Sequence, residues 1–223
     1  MEKKYLVRFF LFTLFILILL CKKKNKISYI KKSEEFPLNP IIYPKFLDDF
    51  EINILLNSCS DFGDSTIINS YGKIVSNYRT SKTCFIENNN KIYDMIKKKI
   101  KDKFNIDSKI ENLQLTRYYP GEYFKEHHDY FNPSNIYENK TIEKNGQRIK
   151  TIFVYLVEPD EGGETEFPIL KKKFKLNKGD ALAWTNCIKK GNKYTLRKES
   201  LHSGNIVNKG IKIGMNIWIL DKL

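Results

Sequence analysis

The sequence has few of the residues that mark several protein classes. Four cysteines in 223 residues are too few for a disulfide scaffold, and none lies in a CxxC pair typical of structural zinc. There are only three histidines, and the chain has no internal repeat and no long low-complexity tract. A metal site would therefore have to use histidine, aspartate and glutamate.

Basic residues are in excess, with 39 Lys and Arg against 26 Asp and Glu and a net charge of +13. The lysines are spread along the chain, and no basic segment is interleaved with aromatic residues as in a nucleic acid platform. We therefore expect no nucleic acid partner and interpret most of the charge as solvated surface. The hydrophobic content of 41% is enough for a sizeable core. The length fits one catalytic domain of roughly 180 residues with a short appendage.

The one long apolar run covers residues 9–21 and has basic residues on both sides. As a helix the run is about 20 Å long, and it approaches the roughly 30 Å hydrocarbon core only when residues 5–8 are included. A cleaved signal peptide is the alternative, but the small residues of a cleavage site are missing. We expect a signal anchor over residues 1–24, a linker over residues 25–40, and single-pass attachment to the endoplasmic reticulum or another endomembrane. Basic residues flank both ends of the run, and the richer downstream flank alone would keep the domain cytosolic. The choice between the lumenal and the cytosolic face is left open.

The predicted domain covers residues 41–223 and has two parts. Helices are predicted over residues 48–57 and 91–104, and the second has its apolar residues at helical spacing on one face. From residue 112 the pattern changes to short strands between turn signals, which predicts a strand-rich core over residues 112–221. The predicted strands are 113–119, 151–157, 181–185 and 212–220. The fold class is therefore α+β and mainly β, a sandwich or open barrel supported by N-terminal helices.

Two histidines and one aspartate could meet at one site. His127 and Asp129 are two residues apart after a predicted strand, so in an extended segment they point to the same side while His128 points away. His202 precedes another predicted strand. Two imidazoles and one carboxylate are the ligand set of non-haem Fe(II) oxygenases. A polar turn and an ordinary half-buried histidine remain the simpler interpretation, and zinc could use the same ligands to activate water.

Lys212 adds a second chemical signal, ten residues after His202. A lysine on a strand that lines an apolar barrel is costly unless an anion pairs with it. A dicarboxylate that chelates iron at one end would place its far carboxylate in such a position. In a chain this rich in lysine, the argument depends on the whole pattern.

The whole pattern resembles the 2-oxoglutarate and Fe(II) dependent dioxygenases, and within them the prolyl 4-hydroxylase catalytic domain. The matching motifs, in chain order, are Arg79-Thr80-Ser81, Tyr118-x-x-Gly121-x-x-Phe124-x-x-His127-x-Asp129, Gly146-Gln147-Arg148, Glu161-Gly162-Gly163-Glu164-Thr165-x-Phe167-Pro168, Gly179-Asp180-Ala181-Leu182 and His202-x-Gly204…Gly210-x-Lys212…Trp218. Their order and spacing cover most of the chain after the anchor, which makes the resemblance specific.

The resemblance implies a double-stranded β-helix (jelly roll) in which His127, Asp129 and His202 hold Fe(II). It also implies a pocket for 2-oxoglutarate, whose C5 carboxylate pairs with lysine in collagen-type and plant-type prolyl 4-hydroxylases. The implied co-substrate residues are Lys212, Tyr118 and Thr165, and the implied residues near the peptide substrate are Arg148 and Trp218.

The implied activity is that of a procollagen-proline 4-dioxygenase, which converts peptidyl proline to 4-hydroxyproline while 2-oxoglutarate and O2 yield succinate and CO2. Ascorbate is expected as a further cofactor. The expected partners are a proline-containing peptide or protein, O2 and the membrane, and the oligomeric state is left open. Phe124 replaces a tyrosine of the pattern and Leu220 stands where some relatives have histidine, so peptide preference stays open. The alternatives are the same chemistry on another residue such as lysine, or a non-catalytic membrane-tethered binding module.

Overall fold

The computed structural model describes residues 34–69, 72–191 and 193–221. The predicted signal anchor and residues 25–33 of the predicted linker lie outside the described residues. None of the helices within the described ranges is long and apolar enough to cross a membrane. The described chain forms one contact unit from Glu34 onward. Phe36, which lies within the predicted linker, is buried against Phe104 with 5.0 Å between the ring centroids.

The described fold is built mainly from short strands, with three α-helices and one 3-10 turn, Lys198–Ser200. The helices are α1 (Asp49–Asn57), α2 (Lys91–Phe104) and α3 (Ile136–Asn145). The strands are β1 (Ile41–Tyr43), β2 (Gly63–Asp64), β3 (Thr66–Asn69), β4 (Gly72–Val75), β5 (Lys82–Ile86), β6 (Leu113–Tyr118), β7 (Phe124–His127), β8 (Gln147–Val157), β9 (Glu161–Gly162), β10 (Thr165–Phe167), β11 (Lys172–Phe174), β12 (Ala181–Thr185), β13 (Cys187–Lys190), β14 (Lys193–Leu196), β15 (His202–Gly204), β16 (Val207–Lys209) and β17 (Lys212–Asp221).

Two antiparallel sheets form the centre of the domain. The larger sheet has seven strands in the order β1-β12-β8-β17-β6-β5-β2, and the smaller has four in the order β11-β10-β15-β7. The sheets share a buried cluster in which Phe167 of the smaller sheet packs on Trp184 of the larger, with 5.2 Å between the ring centroids. The mainly β architecture expected of a jelly roll is therefore confirmed for the described residues.

Alternate side chains of the central strands point in opposite directions. One set packs into the large hydrophobic core, and the other faces the space between the two sheets. On β17, Met215, Ile217 and Ile219 are buried in the large core cluster that also contains residues of α1 and α2. Because successive side chains of a strand point to opposite faces, Lys212 and Trp218 point to the other side, toward the smaller sheet. The strand thus carries a hydrophobic face for stability and a chemically mixed face for a site.

Helix α2 follows directly from its sequence. Asn90 caps the helix, because its side chain accepts a hydrogen bond from the Ile92 amide. Ile96 and Ile100, four residues apart, are buried on one face and pack in the large core, while most of the lysines lie on the opposite face. The observed bounds of this helix are those that the apolar spacing predicts.

Helix α3 was not expected, because the sequence after residue 112 indicated strands without a helical pattern. Its ten residues are mostly polar, and Ile142 is the one that is buried. Its start is fixed instead by the Asn135 side chain, which accepts hydrogen bonds from the amides of Tyr137 and Glu138. Capping and packing on the domain, rather than an apolar stripe, define this helix.

The described residues contain one disulfide bond. Cys59, just after α1, forms a disulfide with Cys84 on β5. Cys187 is buried and free. The disulfide ties the helical layer to a strand near one edge of the larger sheet.

Candidate metal and co-substrate site

The structure brings His127, Asp129 and His202 together. His127 is the last residue of β7 and pairs in register with His202, the first residue of β15. Asp129 follows β7 by two residues. One possible ligand atom from each of the three residues lies within 4.8 Å of the others. The Asp129 carboxylate oxygens are 3.9 Å from Nε2 of His127 and 3.8 Å from Nε2 of His202.

The imidazole rings are held in the orientation that a metal ligand needs. Nδ1 of His127 lies 2.8 Å from the carbonyl oxygen of Lys125, and Nδ1 of His202 lies 2.9 Å from that of Ser200. A carbonyl oxygen only accepts hydrogen bonds, so each Nδ1 carries the proton and donates it. Nε2 of both rings is then left with a free lone pair directed toward Asp129, as in metal sites supported by backbone carbonyls.

Charge in this cluster also suits a cation. Burial and the neighbouring His202 hold the pKa of His127 well below its usual range, which favours the neutral imidazole that binds metals. Burial alone would raise the pKa of Asp129, but His202, His127 and Arg148 outweigh it and lower that pKa. The site therefore offers the neutral imidazole of His127 and the carboxylate of Asp129 beside Nε2 of His202.

A buried polar chain supports Asp129 from behind. The Thr151 hydroxyl on β8 donates a 2.7 Å hydrogen bond to Oδ2 of Asp129. Nδ2 of Asn186 in turn donates a 2.8 Å hydrogen bond to that hydroxyl oxygen. Thr151 and Asn186 have no exposed surface. Sequence reasoning missed both residues, because nothing in their local pattern marks them as neighbours of residue 129.

Aromatic rings enclose the two histidines. Phe124 stacks on His127 with 3.5 Å between the ring centroids, and the Arg79 guanidinium lies 4.6 Å from the centre of the Phe124 ring. Trp184 packs edge to face on His202 at a centroid distance of 4.9 Å. The site is thus walled by apolar surface, and the phenylalanine that departs from the family pattern is in direct contact with a predicted ligand.

Lys212 is a buried cation beside this cluster, with 2% of its surface exposed. Its Nζ donates a 2.6 Å hydrogen bond to the carbonyl oxygen of Gly163. No carboxylate pairs with it among the salt bridges of the described residues, and burial lowers its pKa to about 7. A buried amine held by a single neutral acceptor is a strong candidate for binding an anion.

The backbone conformation of two glycines fixes the direction of the Gly163 carbonyl that accepts the hydrogen bond from Lys212. Gly162 and Gly163 have φ values of +75° and +71°, which favour glycine. The Gly163 carbonyl also accepts a 2.7 Å hydrogen bond from the Tyr155 hydroxyl. The Glu-Gly-Gly-Glu segment therefore fixes the carbonyl that holds Lys212.

The other predicted co-substrate residues lie in the same small cavity. Tyr118 of β6 is paired in register with Lys212 of β17, and Thr165 begins β10. These three residues line one cavity together with His127, Asp129 and His202. The three ligand candidates and the three co-substrate candidates therefore converge on one place.

Arg148 and Trp218 are also brought together, at the mouth of the site. The Arg148 guanidinium lies 3.4 Å from the centre of the Trp218 ring. It donates two 2.7 Å hydrogen bonds to the carboxylate of Glu111. Glu111 was not singled out from the sequence, because the pair joins residues 37 positions apart.

The mouth opens into a cleft of about 780 Å³. Four of the residues that line this cleft are His127, Asp129, Arg148 and Trp218. Leu220, the second departure from the family pattern, lies on the wall of the cleft, and only 3% of its surface is exposed. His128 also faces this cleft, but its ring hydrogen-bonds the Ser200 hydroxyl and takes no part in the ligand cluster.

Comparisons with known proteins agree with this geometry. A family model described as the 2OG-Fe(II) oxygenase superfamily matches residues 113–220. A putative prolyl 4-hydroxylase of Acanthamoeba polyphaga mimivirus is 33% identical over 191 residues, which cover 85% of this chain and 75% of the relative. Probable prolyl 4-hydroxylase 8 of Arabidopsis thaliana is 30% identical over 202 residues, which cover 79% of this chain and 67% of the relative.

A solved structure is similar over most of the chain. It is the viral collagen prolyl hydroxylase from Paramecium bursaria Chlorella virus-1 in its 2OG complex, with a TM-score of 0.61 and 30% identity. The alignment covers 81% of this chain and 94% of that chain. A Pseudomonas putida prolyl-4-hydroxylase, with a TM-score of 0.55 and 12% identity, shares the fold.

Proposed function

Because the chain belongs to the prolyl 4-hydroxylase family within the 2OG-Fe(II) oxygenase superfamily, we propose that it hydroxylates peptidyl proline at C4. The other substrates are 2-oxoglutarate and O2, and the other products are succinate and CO2. The observation that carries the proposal is the convergence of His127, Asp129, His202 and the buried Lys212 on one cavity. Zinc hydrolysis would use the same three ligands but has no need of a buried amine without a carboxylate partner.

The donor set fits Fe(II). His127 and His202 would bind it through Nε2, and Asp129 through its carboxylate, leaving other positions open as in non-haem iron oxygenases. When bound, Fe(II) supplies the oxidising chemistry: it activates O2 with electrons from the decarboxylation of 2-oxoglutarate, and one oxygen atom passes to the proline. The Nδ1 hydrogen bonds and the Thr151 hydroxyl fix the three ligands before the metal arrives.

The protein's own groups would bind the co-substrate. Lys212 would pair with its C5 carboxylate, and the hydroxyls of Tyr118 and Thr165 line the same cavity. Pairing with an anion restores to Lys212 the charge that burial disfavours. The surrounding rings exclude water from the oxidation, and the main contribution of the chain is therefore orientation in a dry site.

The peptide would enter through the large cleft. Trp218 and Arg148 lie where the cleft meets the metal cluster. Since Glu111 already holds the Arg148 side chain, that guanidinium is oriented and keeps donors for a peptide carbonyl. A proline ring could pack on the Trp218 side of the mouth. Ascorbate would serve, as the family resemblance implies, to keep the iron reduced.

The proposal is tested by measuring whether decarboxylation of 2-oxoglutarate depends on the proline-containing peptide. The purified full-length protein, supplied with Fe(II), ascorbate and 2-oxoglutarate, is expected to form succinate much faster when a proline-rich peptide is added. Lys212→Ala is expected to lose this peptide-dependent succinate at ordinary 2-oxoglutarate concentrations. Peptide-independent succinate of equal rate in the wild type and in His127→Ala would overturn the assignment.

We further propose that residues 1–24 anchor the domain on the lumenal side of an endomembrane. The apolar run supports attachment, and the Cys59–Cys84 disulfide supports an oxidising compartment. The test is protease protection of membranes isolated from cells that express the full chain. Protection of the domain until detergent is added is the expected result, and digestion of the domain in intact membranes would contradict it.

A further inference from the structure

Three separate elements surround the cleft outside the metal cluster. They are the β3–β4 hairpin, the segment that precedes β6, and helix α3. The cleft has a volume of about 780 Å³, which is large for the ring of one proline and suits a longer peptide. The side chains around the target residue therefore have surface to contact.

Each of these elements places exposed lysine on the cleft. Lys73 comes from β4, Lys109 from the segment before β6, and Lys140 and Lys144 from α3. Lys140 and Lys144 are four residues apart and so lie on one face of the helix. Within the described residues, none of the four forms an ion pair or a side-chain hydrogen bond. We call these four residues the cleft lysines.

The acidic residues of the cleft are already engaged by other groups. Glu111 binds the guanidinium of Arg148, and Glu87 accepts a hydrogen bond from the side chain of Asn112. Glu138 accepts one from the backbone amide of Asn132. Asp129, the remaining carboxylate, belongs to the metal cluster. The cleft thus presents cations to its contents, while its anions face other groups of the protein.

We propose that this cleft selects proline-containing peptides that carry aspartate or glutamate close to the target proline. The inference rests on the proposed function and names the substrate class for that same site. Acidic flanks complement the unpaired cleft lysines, whereas basic flanks would meet like charges, so the discrimination has an attractive and a repulsive part. It also gives part of the chain's net charge a specific use.

The effect should appear in binding rather than in the chemical step. The cleft lysines are exposed, so each contact with a peptide carboxylate is weak and screened by salt. Together they are expected to lower KM by about tenfold at low ionic strength. The turnover number should stay the same, because these side chains lie outside the metal cluster.

The test uses the full-length protein and three peptides with the same proline-containing centre, flanked by glutamate, glutamine or lysine. KM and kcat are measured at low and high salt, and peptide affinity is measured without turnover by fluorescence anisotropy. The expected order of affinity is glutamate, then glutamine, then lysine, with the differences shrinking at high salt. Equal KM values for the three peptides, or a preference for the lysine peptide, would overturn the inference while leaving prolyl hydroxylation intact. Failure to hydroxylate any of the three would overturn both.

Charge reversal supplies the matched control. Changing the four cleft lysines to glutamate is expected to reverse the order of the glutamate and lysine peptides. The control changes four exposed lysines outside the cleft, which leaves the net charge of the two variants equal. The control substitutions are Lys172→Glu, Lys175→Glu, Lys190→Glu and Lys193→Glu. An equal shift of peptide preference in both variants would show that net charge, and not the cleft, determines the choice.

Discussion

The hydroxyl of Thr151 donates a 2.7 Å hydrogen bond to Oδ2 of Asp129, and both residues are buried. This bond holds the carboxylate against the middle of β8, within 4 Å of Nε2 of both histidines. Because Asp129 lies in a loop after β7, its orientation depends on such a partner. The metal site is therefore built partly by a residue that would not itself touch the metal.

Removing this hydroxyl should weaken metal binding. Thr151→Val keeps the side-chain shape but leaves Asp129 without its donor, and we expect the dissociation constant for Fe(II) to rise by about 10-fold or more. Titration of the metal-free protein under anaerobic conditions measures this constant directly. Thr151→Ser, which retains the hydroxyl, is the control and should bind metal nearly as well as the wild type. Unchanged affinity in the valine variant would contradict the supporting role of Thr151.

Affinity for 2-oxoglutarate should fall as the pH rises above neutral. Burial lowers the pKa of Lys212 to about 7 in the absence of a carboxylate. The amine is charged below that pH and neutral above it, so binding an anion at higher pH must also recover a proton. We expect the dissociation constant to rise by up to ~10-fold per pH unit above 7. Calorimetric titration of the Fe(II) protein without oxygen, over pH 6 to 9, measures the trend.

A variant with a permanent charge separates this effect from other titrations. In Lys212→Arg the guanidinium stays protonated, so its 2-oxoglutarate affinity, although reduced by the altered geometry, should not vary over this range. Equal pH dependence in the wild type and the arginine variant would show that another group is responsible.

Gly214 is required because Phe153 occupies the space of a side chain. A Cβ placed at Gly214 would lie 2.2 Å from the Phe153 ring, which forms part of the wall around Lys212. Gly214→Ala is expected to cost about 1–3 kcal/mol of unfolding free energy and to weaken 2-oxoglutarate binding. Gly63→Ala is the matched control, since no atom lies within 4 Å of its Cβ position. Denaturant unfolding of both variants tests the contrast, and equal stability would contradict it.

The Cys59–Cys84 disulfide should contribute measurably to stability. It closes a loop with a sequence separation of 25 residues, for which the loss of chain entropy in the unfolded state corresponds to about 3.5 kcal/mol. The double substitution of Cys59 and Cys84 by serine is expected to lower the unfolding free energy by this amount. Wild-type protein in reductant should then match the variant. A variant as stable as the oxidised wild type would contradict the contribution.

The sequence predicted the elements whose bounds follow from the spacing of apolar residues within one segment. The bounds of α2 and β12 follow from helical spacing and from a short buried run, and both agree with the structure. Alternation along β17 explains why Lys212 points away from the hydrophobic core although Met215 and Ile217 of the same strand are buried within it. The family resemblance, rather than a local pattern, predicted that His202 lies beside His127, and the two residues pair in the structure.

The features that the sequence could not predict depend on contacts between distant residues. Asn186 reaches Thr151 across 35 positions, and Arg148 binds Glu111 across 37 positions. Helix α3 is polar and is specified by its cap rather than by an apolar face. Such features have no periodic signal, so only the folded arrangement shows them.

We propose that one cavity binds the metal through His127, Asp129 and His202 and directs its oxidation to a proline. The most direct test is mass spectrometry of a proline-containing peptide after incubation with the full-length protein, Fe(II), 2-oxoglutarate and O2. We expect an added oxygen on proline as 4-hydroxyproline, formed in proportion to succinate and absent with His127→Ala. Oxygen added to lysine or to no residue, or equal product from His127→Ala, would contradict it.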